Sequence, residues 1–96
     1  MNSKSGAINN ITLSRYCRLV GLYEQGAKIL EEELKTKANQ PFLLLEYAKI
    51  LHLQAKDTAA AEALKVPLKT WSDADENFRP IREARELAAK LGMIVQ

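Results

Sequence analysis

The chain has 96 residues, enough for one small domain, and its 14 Lys and Arg against 12 Asp and Glu give a formal net charge of +2. A balance this even gives no general support for a nucleic acid or an anionic membrane as partner. The single cysteine excludes a disulfide framework within the chain. The polar residues 1–6 are followed by no unbroken apolar segment of the kind that a signal peptide or a membrane span needs. We therefore expect a cytoplasmic protein that does not enter a membrane.

The spacing of apolar residues predicts helices throughout and no strand. After a flexible tail at residues 1–6, the first helix runs from Ala7 to Val20. Gly21 ends it, because glycine adopts left-handed backbone angles without a steric penalty. The apolar positions of this helix are Ile8, Ile11, Leu13, Cys17, Leu19 and Val20.

The second and third helices have an amphipathic and a strongly apolar pattern, respectively. The second helix extends from Tyr23 to about Lys37. Pro41 fits the first turn of the third helix, where its missing N–H would have no helical partner in any case, and this helix continues to Gln54. Because apolar residues occupy most of its positions, we expect the third helix to be the most buried.

The fourth and fifth helices are separated by a polar segment rich in capping residues. Residue 57 or 58 caps the fourth helix, and Pro67 predicts a kink or an early stop near Val66, because proline removes a backbone donor and crowds the preceding turn. Pro80 fits the first turn of the fifth helix, which ends at Gly92. Its apolar stripe consists of Ile81, Ala84, Leu87, Ala88 and Leu91.

A gapless repeat underlies the first four helices. Residues 7–40 laid over residues 41–74 match at six positions, and small and apolar residues recur at helical spacing. We call the offset between these two blocks the repeat length. Each block is interpreted as a helix pair that stacks on its neighbour to bury its apolar face. We expect two repeats, at residues 7–40 and 41–74, followed by a capping helix at 75–92 and a short tail at 93–96.

A repeat of about 34 residues built from two helices resembles the tetratricopeptide repeat family, whose repeats need small residues where helix backbones approach closely. These repeat-packing positions are Ser14, Gly26, Ala48 and Ala60. Residues 21–32 also look like the turn and second helix of such a repeat. The resemblance implies an all-α, antiparallel helix-pair solenoid of about five helices, with the fifth as its cap.

Some positions depart from the family pattern. Asn10 stands where a large aromatic residue is common, and Ala55 replaces the glycine of the turn. Glu33 and Pro67 each replace a small alanine. The carboxylate clamp of chaperone-tail receptors is absent, because the positions of its lysine and asparagines hold other residues, among them Glu46.

Basic side chains recur at matching positions of the two repeats. Arg15 is matched by Lys49, and Arg18 is matched by His52. In the resembled family the first helices of successive repeats line a concave groove. We therefore predict an apolar groove with a cationic margin, which would hold a peptide that carries acidic groups beside an apolar anchor. The predicted peptide-binding residues are Ile11, Arg15, Arg18, Leu19, Leu45, Lys49, His52 and Leu53.

A simpler interpretation pairs the same cations within the chain. Lys49 and His52 are followed, one repeat length further on, by Glu83 and Glu86 on the adjacent helix. Exposed pairs of this kind contribute only about 0 to 1 kcal/mol each. Trp71 is similarly open to two interpretations, because it either covers the gap between the fourth and fifth helices or stays exposed for a partner.

No constellation of residues indicates catalysis, a cofactor or a bound metal. Cys17 lies among apolar positions, and His52 is the only histidine, so neither has the partners that a nucleophile or a zinc site needs. The prediction is a non-enzymatic protein-interaction scaffold that binds a peptide segment of another protein.

Two alternatives from other classes remain. A self-associating, homodimeric unit is one, because two repeats and a cap fall short of the three repeats usually needed to bury a solenoid core. Nucleic-acid binding is the other, although Glu83 and Glu86 weaken the field of the cations and disfavour it. Those cations are Arg15, Arg18, Lys49, Arg79, Arg82 and Arg85.

Overall fold

The computed structural model describes residues 9–93, which form five α-helices and no strand. In chain order the helices are α1 (Asn10–Leu19), α2 (Tyr23–Leu34), α3 (Pro41–Leu53), α4 (Asp57–Thr70) and α5 (Arg79–Lys90). The prediction of an all-α protein is confirmed. The predicted N-terminal tail, the first residues of the predicted first helix and most of the C-terminal tail lie outside the described residues.

The turns between paired helices are built alike. Gly21 has a φ of +88° and Ala55 a φ of +62°, both in the left-handed region. In each turn the next residue donates its backbone N–H to the carbonyl five residues earlier, at 2.8 Å in both cases. The ends of α1 and α3 are separated by one repeat length, as are the starts of α2 and α4. The two helix hairpins, α1–α2 and α3–α4, therefore share their local backbone geometry as well as their sequence pattern.

Two helix ends differ from the sequence-based expectation. Helix α4 continues through Pro67 to Thr70, so the predicted early stop near Val66 is wrong. Pro67 lies only one turn from the helix end and is fully buried, and its carbonyl still accepts the N–H of Trp71 at 3.0 Å. Helix α2 ends at Leu34, before the predicted end near Lys37, because the next two N–H groups bond three residues back and tighten the last turn.

Helix α3 lies at the centre of the fold. It packs against α1 and α2 on one side and against α4 and α5 on the other. Its six buried residues are Leu43, Leu45, Glu46, Ala48, Ile50 and Leu51. The prediction that the third helix is the most buried is confirmed. The apolar stripe of α5 is also buried, apart from the partly exposed Leu91.

Small residues allow the helices to approach closely. The four repeat-packing positions predicted above, Ser14, Gly26, Ala48 and Ala60, are all buried. A Cβ atom placed on Gly26 would lie 2.9 Å from Cδ1 of Ile50 and 3.3 Å from the carbonyl oxygen of Ser14. The missing side chain of Gly26 therefore brings α1, α2 and α3 together at one point.

The apolar pattern of the first helix is only partly satisfied. Cys17 is buried, as predicted, but Leu19 is 70 % exposed and Val20 is 50 % exposed. Both residues lie at the end of α1, on sides that neither α2 nor α3 covers. Helical spacing alone overestimated the width of the buried face of α1.

Candidate functional site

A groove of about 280 Å³ opens between α1, the first half of α3 and the start of α5. Because it contains four basic and two acidic side chains, we call it the basic groove. It is lined by Arg15, Arg18, Phe42, Leu45, Glu46, Lys49, Arg79, Pro80 and Glu83. Its residues come from α1 and α3, which begin the two hairpins, and from α5, which follows the second hairpin.

Glu46 organises the cations of the groove. Its carboxylate is 2 % exposed and accepts hydrogen bonds from Nε of Arg15 at 3.3 Å and from Nε of Arg18 at 3.2 Å. Nζ of Lys49 donates to the same carboxylate at 3.5 Å. A buried carboxylate needs such partners, because burial without them would cost several kcal/mol (about 3 or more). One acidic side chain therefore holds three cations side by side.

The basic groove continues to α5 through a second ion pair. Nζ of Lys49 also donates to Oε1 of Glu83 at 2.5 Å, and Glu83 is 35 % exposed. The predicted pairing of Lys49 with Glu83 is thus confirmed. The matching prediction for His52 and Glu86 is wrong, because Nδ1 of His52 lies 3.0 Å from Oδ1 of Asp57, at the start of α4 in its own hairpin.

One end of the basic groove is apolar and rests on an aromatic cluster. Phe42 is 40 % exposed, and its ring centroid lies 5.0 Å from that of Trp71 and 6.5 Å from that of Phe78. Trp71 is 8 % exposed and packs edge-on against Phe78 at 5.3 Å. The interpretation of Trp71 as a cover between the fourth and fifth helices is confirmed. The buried ring of Trp71 also packs against the partly exposed ring of Phe42 and restrains it.

The basic groove brings together half of the eight side chains predicted to bind a peptide. Arg15, Arg18, Leu45 and Lys49 line it. Ile11 lines a separate, smaller cavity of about 100 Å³. Leu19, Leu53 and His52 are not among the lining residues of either cavity. Leu19 and Leu53 lie at the ends of α1 and α3, where they are 70 % and 47 % exposed.

Sequence reasoning did not recognise the central role of Glu46. The residue is the only acidic side chain in α3, an otherwise strongly apolar helix, and it precedes Lys49 by three residues. A charge in such a helix is buried only when it is paired. Applied to Glu46, that rule predicts a buried carboxylate that is paired with cations of neighbouring helices. Arg79 and Pro80 were missed as groove residues because the turn before α5 sets their position.

Asn10 and Glu33 contact each other beside the smaller cavity. Nδ2 of Asn10 donates a hydrogen bond to Oε2 of Glu33, which links α1 to α2. Lys37 also donates to Glu33, at 3.2 Å. These two hydrogen bonds, first that of Lys37 and then that of Asn10, lower the pKa of Glu33 below its ordinary value.

No model of a known protein family matches the chain, and no curated protein or solved structure matches it significantly. Within residues 9–93, no helix combines the length and apolar character that crossing a bilayer requires. Nor do three His, Cys, Asp or Glu side chains of this part of the chain gather as metal ligands do. The chemistry of the basic groove is therefore the main guide to function.

Proposed function

We propose that the chain is a non-enzymatic protein-interaction module of the tetratricopeptide type, which holds a peptide segment of a partner in the basic groove. The equivalence of the two hairpins, offset by one repeat length, supports the repeat assignment. In this arrangement α1, α3 and α5 are successive first helices, and the side chains between them form a continuous binding surface.

The observation that carries the proposal is the position of the two arginines on Glu46. Each arginine uses Nε for this contact, and the Nη atoms of Arg15 and Arg18 make no hydrogen bond to any other residue within 9–93. Arg15 is 51 % exposed at the groove. Its free guanidinium edge matches the two oxygens of a carboxylate. Because Glu46 already restrains both side chains, binding a ligand costs less side-chain entropy.

The apolar end of the basic groove defines the second part of the ligand. Phe42, which is exposed, and Pro80, which is partly exposed, line the groove beside the cations and offer a surface to an aromatic or aliphatic side chain. A partner segment with one or two acidic residues next to an apolar anchor would satisfy both ends at once. The partner class is thus an acidic peptide segment with an apolar anchor, in extended or helical form.

Nucleic acid fits the basic groove less well. Glu46 and Glu83 lie among its cations, so the groove offers a local site for one or two anionic groups and not a run of cations along a phosphate backbone. Arg82 and Arg85 lie outside the groove lining. A continuous basic track of the kind that nucleic-acid channels use is therefore interrupted.

The test is a fluorescence titration of labelled peptides against the purified chain. The probe is a short peptide with glutamates on both sides of a phenylalanine, and the control peptide carries glutamines in place of the glutamates. We expect the charged peptide alone to bind. We expect Arg15→Gln to weaken its binding by about tenfold, which equals about 1.4 kcal/mol and fits the loss of charged hydrogen bonds.

Arg82→Gln is the matched control, because Arg82 is exposed on α5 outside the groove lining. It removes the same charge and should leave peptide affinity unchanged. Equal losses in both variants would show a general charge effect and would contradict the proposal. Tighter binding of a single-stranded oligonucleotide than of any peptide, with a steep dependence on salt, would favour nucleic acid instead.

A further inference from the structure

One face of α1 carries no charged side chain and is mostly apolar. At about 100° per residue, four positions of this helix lie within about 60° of one another. They are Leu13 and Tyr16 within the helix, together with its N-cap, Asn9, and its C-cap, Val20, and we call them the α1 end face. Tyr16 is 61 % exposed and Val20 is 50 % exposed. The two cations of the helix are directed away from this face, towards Glu46.

The matching positions of α3, one repeat length further along the chain, form a face that packs against another helix. Helix α3 carries Leu43, Tyr47 and Ile50, each one repeat length after a member of the α1 end face. Leu43 and Ile50 are buried in one cluster with Ala27 and Leu30 of α2, and Tyr47 packs against that cluster. The face is therefore a helix-packing face in α3. In α1, the described helices leave Tyr16 and Val20 of this face exposed, while Leu13 is partly buried.

The opposite end of the molecule differs in character. The outward side of α5 carries Arg82, Glu86 and Lys90 around Ala89, and all four are exposed. A head-to-tail stack of copies would press these charges against the apolar α1 end face, and each charge would lose water without gaining a partner. Two α1 end faces brought together bury no charge and create no repulsion between like charges. The face is complementary to itself and not to the other end.

We propose that the α1 end face is a homodimer interface, in which α1 of one copy packs against α1 of a second copy about a two-fold axis. Helix α1 is about 15 Å long and about 10 Å wide, so the contact is smaller than a standard protein interface. We expect a reversible dimer that forms at micromolar to submillimolar concentrations. The interface is independent of the proposed peptide site, because the basic groove lies on a different side of α1.

The test is sedimentation equilibrium of the full chain over that concentration range. We expect the mass to rise from 10.8 kDa to twice that value and to stop there. Tyr16→Lys should raise the dissociation constant about tenfold or more, because two lysines would then lie on the interface. Ala89→Lys adds the same charge at the opposite end and should leave the dimer unchanged. Circular dichroism of both variants checks that the fold is retained.

A mixing experiment sharpens the test. Tyr16→Glu and Tyr16→Lys should each be monomeric, and their mixture should form a heterodimer, because opposite charges then meet across the interface. A monomer at every concentration would overturn the proposal, as would masses beyond a dimer or a dimer that Tyr16→Lys leaves intact. Dimerisation only after removal of residues 1–8 would show that this segment covers the face, and it would also overturn the proposal.

Discussion

The hairpin α1–α2 and the hairpin α3–α4 share a backbone plan but use equivalent positions differently. Arg15 contacts Glu46 on α3, and Lys49 contacts Glu83 on α5. Arg18 also contacts Glu46, but its equivalent, His52, bonds to Asp57 within its own hairpin. Matching positions of the two hairpins therefore lie near acidic side chains, although the contacts that they make differ. The length and charge of the side chain determine which contact forms.

The two acidic acceptors, Glu46 and Glu83, provide the largest expected contrast. Glu46 is 2 % exposed and serves three cations, whereas Glu83 is 35 % exposed and serves Lys49. We expect Glu46→Gln to lower the free energy of unfolding by about 2 to 3 kcal/mol, because neutralising a buried acceptor leaves its cations without a partner. Glu83→Gln should cost less than about 1 kcal/mol, as an exposed pair does.

Urea denaturation measures both changes, with the fluorescence of the single, buried Trp71 as the signal. Equal losses in the two variants would mean that burial does not distinguish these carboxylates. The Glu46 variant should also bind the glutamate-containing peptide more weakly, because its arginines are no longer restrained. The Glu83 variant should retain that affinity.

The next contrast concerns the approach of the second helix of each hairpin to the helix beyond the hairpin. Gly26 of α2 faces Ile50 of α3, and one repeat length later Ala60 of α4 and Ala84 of α5 share one buried cluster. We expect Gly26→Ala to destabilise the protein by about 1 kcal/mol net, because overpacking outweighs the gain in helix propensity.

The double variant Gly26→Ala with Ile50→Val tests the cause of that loss. Valine lacks the Cδ1 atom that would lie 2.9 Å from the new methyl group. The cost of Gly26→Ala should therefore be smaller in the Ile50→Val background than in the wild type, as a double-mutant cycle measures. Additive losses would show that Cδ1 of Ile50 is not the obstacle.

Apolar spacing and the recurrence of the pattern after one repeat length predicted the five helices, the central place of α3 and the pairing of Lys49 with Glu83. These features depend on periodicity, which a sequence carries directly. The passage of α4 through Pro67 could not be predicted in this way, because the burial of Pro67 depends on tertiary packing. Local spacing also could not predict the exposed end of α1, since the number of neighbours that a helix has is a property of the whole fold.

The candidate site was predicted less completely than the fold. The cations of α1 and α3 were found because they recur, and a repeat makes recurring positions adjacent. Glu46 has no acidic equivalent in the first repeat, where Thr12 stands, so the comparison of repeats did not reveal it. Arg79 and Pro80 belong to the groove only through the turn that leads into α5.

Substitutions in the two turns are expected to change the free energy of unfolding in opposite directions. Gly21 and Ala55 both have positive φ values in otherwise equivalent turns, but only glycine adopts them without strain. We expect Ala55→Gly to raise the free energy of unfolding by about 0.5 to 1 kcal/mol, and Gly21→Ala to lower it by about 1 kcal/mol. Thermal and urea unfolding should agree on both signs. A loss of stability in Ala55→Gly would indicate that the methyl group of Ala55 makes contacts that outweigh its backbone strain.

The last contrast distinguishes Tyr47 from its equivalent, Leu13, through a hydroxyl group. Oη of Tyr47 donates to Oε2 of Glu31 at 2.9 Å, and burial, followed by this acceptor, raises the pKa of Tyr47 from 10.0 to about 12. Between pH 10 and about 12 the folded state therefore holds a proton that the unfolded state has released. The hydroxyl thus contributes stability that is fully present below pH 10 and is lost as the pH rises towards 12.

Tyr47→Phe removes the titrating group and leaves the ring in place. The difference in unfolding free energy between wild type and this variant should be constant below pH 10 and should shrink above it. Urea titrations along that pH range measure the difference, and the titration of lysines affects both proteins equally. A difference that stays constant up to pH 12 would mean that Glu31 does not hold the phenol proton. The second hairpin would then be joined to α2 at this position by apolar packing alone, as Ile50 is one turn further along α3.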